Sequence, residues 1–136
     1  MTEGVDEGAA ARPHGVPEVF DVRTVVYLRT GTTPPELDEA ASLALHHAHL
    51  AHLHAMWERG LVAVNGPLLD KSDDTIRGMS VWTVPPDEAR RWAEQDPAVV
   101  AGRFRVDTAR WAVSAGRVAF PERDDPVGDQ VRFEDL

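Results

Sequence analysis

Five of the chain's six histidines fall between positions 46 and 54, at His46, His47, His49, His52 and His54. The segment reads as a helix, so the five occupy about two and a half turns. Imidazole is the side chain that changes charge near neutral pH and the commonest metal ligand, which makes this helix the first place to look for proton transfer or metal binding. On a 100° wheel Leu43, His46, Leu50, Leu53, Met56 and Trp57 share one face, while Ala44, Ala48, Ala51, Ala55, Glu58 and Arg59 take the other side. That wheel turns His46 and His49 inward. His46, His49 and His52 are three apart, a spacing that drifts around a helix and converges only partly on one ion. With no His-Glu-x-x-His motif and no cysteine in the chain, the expectation is neither metal nor cofactor. None of Ser42, Ser72, Ser80 and Ser114 stands in a nucleophile-elbow context, so a serine triad finds no support.

The elements that must position this helix follow from local patterns. Residues 22–28, Val-Arg-Thr-Val-Val-Tyr-Leu, are β-branched and aromatic and suit an inner strand. Thr33-Pro34-Pro35-Glu36 has the form of a helix opening, with Thr33 as N-cap, proline at the first helical position and a glutamate placed for a capping box. Gly60 ends the histidine helix, and Leu61–Val64 forms a second strand running into the turn Asn65-Gly66-Pro67. After the polar loop 70–74, a third strand spans Ile76 to Val84. Pro85-Pro86-Asp87-Glu88 opens a second, shorter helix. Asp96-Pro97 opens one more turn, with Asp96 as N-cap and Gly102 past its end. From Gly102 the chain alternates as a fourth strand, with Phe104, Val106 and Thr108 on one face and Arg103, Arg105 and Asp107 on the other.

The order β-α-β-β-α-β predicts an α+β ferredoxin-like fold, a four-stranded antiparallel sheet with both helices on one face. Tyr27, Trp82, Trp111 and several valines cannot all lie under the helices given a period of two, so a second copy is expected against the other face, making a homodimer. Three segments are expected: a flexible lead-in over 1–20, one domain over 21–115, and an acidic tail or docking arm over 116–136.

Composition narrows the function classes. A formal charge of −9 repels phosphate backbones and anionic headgroups alike, so neither nucleic acid nor membrane is an expected partner. The first twenty residues lack the basic and apolar regions of an export signal, and zero cysteines fit a reducing compartment, so the cytoplasm is the expected location.

Four pieces in order resemble the YciI-like (YCII-related domain) family of dimeric α+β barrel proteins: Ala48-His49-Leu50-Ala51-His52-Leu53; Gly60 to Gly66-Pro67; Arg77-Gly78; and Glu88-Ala89-Arg90 followed by Asp96-Pro97-Ala98-Val99 and Gly102. The resemblance spans most of residues 21–114. It implies an active-site pair of His49 and Asp96, with lyase-like or dehydrohalogenase-like chemistry in some relatives. The chain departs from the family where it carries His46 and His47 in place of a basic residue, and Ala98 in place of an aromatic. On this basis His49 is a candidate general acid or base oriented by Asp96, and His46, Gly66, Pro67, Arg103 and Arg105 are candidates to line the pocket of a small organic acid or aromatic compound. Ion pairing with Asp21 and Asp107 is the structural alternative for the strand arginines. A non-catalytic ligand-binding or structural dimer and a metal-binding module remain as rival functions.

Overall fold

The computed structural model describes residues 12–120 and 132–135. Positions 1–11 of the expected lead-in and 121–131 and 136 of the expected tail lie outside the described residues. The elements are β1 (Phe20–Thr30), α1 (Glu39–Glu58), β2 (Val62–Pro67), β3 (Ile76–Trp82), α2 (Pro86–Ala93), α3 (Pro97–Val100) and β4 (Phe104–Ser114), with a single 3-10 turn at Phe133–Asp135. The strands form one antiparallel sheet in the order β2-β3-β1-β4. This is the expected ferredoxin-like arrangement.

Alternation along the strands decides which residues meet the helices. Val26, Val62, Trp82 and Val106 point toward α1 and α2 and close a core with Met56, Ala89 and Ala93. Burial of each large apolar side chain contributes about 1.5–3 kcal/mol. Trp82 belongs to this layer, where its indole nitrogen donates to Ser80 Oγ at 2.8 Å. Trp111, opposite Arg23 across the β1–β4 ladder, is on the other face with Tyr27 and Val25. Beyond β4 the chain turns back to β1, with the Gly116 amide donating to Asp21 and an Arg23 guanidinium nitrogen donating to the Val118 carbonyl.

Two features of α1 differ from the sequence expectation. Its first residue is Glu39, and the N-cap is Asp38, whose carboxylate accepts from the Ala41 amide at 2.8 Å. Thr33 and Pro34 each precede a proline, which disfavours helical backbone and leaves 31–38 as a connecting loop. The stripe facing the sheet is also rotated. His49 and Met56 are the buried residues of α1, whereas Leu43 and Trp57 are 53% and 55% exposed and His46 is exposed. Alanines dilute the hydrophobic signal around this helix, so apolar bulk alone misplaces its inner face.

Gly60 ends α1 in a left-handed conformation (φ 75°), as expected. The β1–β3 ladder carries an irregularity: Leu28 pairs with Gly78, but Arg29 pairs with Ile76. Arg77 therefore has no partner on β1, the mark of a bulge that re-aims a side chain.

Candidate active site

Three short-range decisions bring the site together. Asp96 caps α3, its Oδ1 accepting from the Ala98 amide at 2.8 Å, and Pro97 supplies the first helical position. Packing of α3 against α1 then carries Asp96 to the middle of the histidine helix. There its second oxygen, Oδ2, lies 2.6 Å from His49 Nδ1. Both partners are withdrawn from water, Asp96 to 1% exposure and His49 to 8%.

The hydrogen bonding fixes the tautomer. An ionised carboxylate only accepts, so Nδ1 carries the proton and Nε2 presents its lone pair. Nε2 makes no hydrogen bond to the described residues, and the His49 side chain keeps 10% exposure. The site can thus take up a proton at Nε2 while a fixed negative charge stabilises the imidazolium that results. Asp96 also borders a cavity of about 10 Å³ between α1 and the sheet, lined in addition by His52, Leu53, Ser80 and Trp82. That holds one water at most.

Phe104, the first residue of β4, meets the His49 ring edge-on at 5.2 Å between centroids. The Arg77 guanidinium stands 5.9 Å from the centroid of the same phenyl ring. Arg103 donates from one terminal nitrogen to Ser42 Oγ at 2.7 Å, and so reaches α1. Strand alternation places Arg103 away from the helices. It lies ahead of β4 and follows Gly102, whose backbone is left-handed (φ 87°), so the alternation does not extend to it.

The remaining candidates separate into near and far. His46 stands with its ring 6.3 Å from that of His49. Its pKa is lowered from the usual imidazole value by desolvation first, then by His49, His47 and Arg103. Gly66 and Pro67 pair with Met79 and Gly78 at the end of β2, and the following Leu68 amide donates to the Arg77 carbonyl at 3.2 Å, which joins this turn to the bulge. A Cβ on Gly78 would stand 3.3 Å from the Gly66 carbonyl oxygen, so the two strands approach closely here. Arg105 instead pairs with Asp107 at 3.8 Å on the face away from α1, and Arg29 also engages Asp107. His52 hydrogen-bonds the Trp92 carbonyl at 3.1 Å and His54 pairs with Glu58, so neither joins His49. Among the described residues no group of three His, Cys, Asp or Glu side chains converges as a metal site.

Sequence reasoning gave Phe104, Arg77 and Ser42 no role in the site. Ser42 lies two turns before His49 on the same helix, so its signal was present in the spacing. Arg77 depends on a bulge that local sequence does not announce.

A buried histidine–carboxylate pair under one helix of an α+β ferredoxin-like sheet defines the class of site. No protein-family model and no curated protein sequence matches the chain. Among solved structures the chain is similar to 5-chloro-2-hydroxyhydroquinone dehydrochlorinase (TftG) from Burkholderia phenoliruptrix AC1100, in complex with 2,5-dihydroxybenzoquinone. The identity is 25% over 65% of this chain and 92% of that one, with a TM-score of 0.45. No helix among the described residues is long and apolar enough to cross a membrane.

Proposed function

We propose that this chain is a YciI-like enzyme in which His49 and Asp96 carry out proton transfer on a small organic acid or aromatic compound. The observation that carries this reading is the 2.6 Å contact of His49 Nδ1 with the nearly inaccessible Asp96, combined with an Nε2 that makes no hydrogen bond to the described residues. Nε2 removes a proton from a carbon or hydroxyl that adjoins an electron-withdrawing group. The electron pair left behind either expels a leaving group or shifts a double bond, giving lyase or isomerase chemistry. The imidazolium then returns its proton to product or water. General base catalysis of this kind contributes about 10²–10⁴-fold.

The reading includes a cytoplasmic homodimer joined through the sheet face that bears Tyr27 and Trp111. Trp111 is 40% exposed there, and light scattering on the purified protein measures the assembly. A second reading, a non-catalytic ligand-binding or structural dimer, draws on the small cavity beside Asp96 and on the burial of His49, which a purely structural imidazole also shows. A screen of cyclic dienols, lactones and halogenated hydroxyquinols with wild type and His49→Ala separates the two. Turnover abolished by His49→Ala supports the enzyme, and absence of His49-dependent turnover across the panel favours the scaffold.

A further inference from the structure

The arginines of the sheet are mostly neutralised by neighbours. Arg29 pairs with Asp73 and Asp107, Arg105 with Asp107, and Arg23 with Asp21. Arg77 differs. Its guanidinium makes no ion pair and no side-chain hydrogen bond with the described residues, which is also true of Arg110 on β4, but of the two only Arg77 stands beside the Phe104 ring, 5.9 Å from its centroid, and that ring meets His49 edge-on. Arg103, held by Ser42, also lacks a carboxylate partner there. In a chain of net charge −9, two arginines, one beside the Phe104 ring that meets His49 and one held on α1 by Ser42, thus have no acid against them among the described residues.

Cation–π attraction to an aromatic ring holds a guanidinium without using its N–H donors, which stay available as the planar fork that matches an oxyanion. The fold supplies this position deliberately. The bulge opposite Leu28 and Arg29 frees Arg77 from cross-strand pairing, and the close approach of Gly78 to Gly66 anchors the strand behind it. From this placement we infer that Arg77 holds the acidic oxygen of a planar organic anion, a phenolate or carboxylate, while His49 Nε2 acts on an adjoining atom. The inference rests on the His49–Asp96 reading above and names its substrate class. It also moves the anion-holding role from Arg105, which Asp107 already occupies, to a residue on the neighbouring bulge.

The test is binding rather than turnover. Imidazole and backbone NMR shifts are followed during titration with benzoate and with neutral benzamide, and with 4-nitrophenolate and neutral 4-nitroanisole. The two pairs separate carboxylate from phenolate preference. Wild type is expected to bind at least one anion with His49 and Phe104 shifts, and its neutral counterpart about tenfold more weakly or worse. Arg77→Gln, an exposed position, is expected to weaken the anion by about tenfold or more while leaving the fold unchanged by circular dichroism. Arg77→Lys recovers part of the affinity, because it restores charge but not the planar fork. Arg91→Gln, on the exposed side of α2, leaves affinity unchanged. Equal affinity in wild type and Arg77→Gln, equal binding of charged and neutral members, or no anion binding to wild type each overturns the inference. His49→Ala is expected to retain anion binding while losing any turnover, so failure of the anion site and failure of the acid–base pair give different results.

Discussion

Replacing Asp96 by Asn isolates the charge of the pair from its packing. The side chains are nearly isosteric, and an Asn oxygen can still cap α3 through the Ala98 amide. The amide nitrogen then faces His49 Nδ1, where a donor would meet a donor. The imidazole resolves the conflict by moving its proton to Nε2 and accepting at Nδ1. The alternative orientation of Asn keeps the His49 contact but turns a donor toward the Ala98 amide and gives up the cap. A hydrogen bond to a charged group contributes about 1.5–3 kcal/mol and a neutral one about 0.5–1.5 kcal/mol, so the exchange costs about 1–2 kcal/mol. For a domain of this size that lowers Tm by roughly 3–10 °C. The protein stays folded. The chemical cost is larger, because a protonated Nε2 cannot take a proton, and a drop of about 10²-fold or more is expected in any His49-dependent rate. Long-range ¹H–¹⁵N NMR reads the tautomer directly, without a substrate. Retention of an unprotonated Nε2 in Asp96→Asn, together with an unchanged rate, would refute the argument.

Three other outcomes follow from the same coordinates. His46 has a folded-state pKa below its unfolded value, so its contribution to stability is present above the ordinary imidazole pKa and is lost as pH falls through that value toward the folded one. His46→Gln should flatten this part of the stability curve, as measured by denaturant melts across the acidic limb. Gly31→Ala should be severely destabilising, by roughly 3 kcal/mol or more, because the new Cβ would stand 1.9 Å from the Gly102 carbonyl oxygen and the clash is with backbone. Gly66→Ala, which meets nothing within 4 Å, should fold normally, and the two melting temperatures compare them. Met56→Ala should cost about 2–5 kcal/mol and Leu43→Ala less than about 0.5 kcal/mol. Similar losses at both positions by urea titration would show that the wheel with Leu43 on its inner face, rather than the observed face, describes α1.

The residues alone determined what depends on near neighbours along the chain. The order of strands and helices, the stop at Gly60 and the cap at Asp96 all rest on interactions within about four residues, where turn chemistry and side-chain periodicity act. The pairing of His49 with Asp96 was a different matter. Composition and spacing supplied two candidate groups, and only a resemblance suggested that they meet across 47 positions. Their contact is set by how α3 packs on α1. The inner face of α1 was not legible either, because its alanine-rich surface offers little contrast in hydrophobicity and the sheet, through Met56 and His49, selects the orientation. Arg77 acquired its place from a register shift between β1 and β3, a property of two strands whose pairing neither encodes by itself. Local preference thus chose the elements, and packing between distant ones chose which imidazole, carboxylate and guanidinium would share a site.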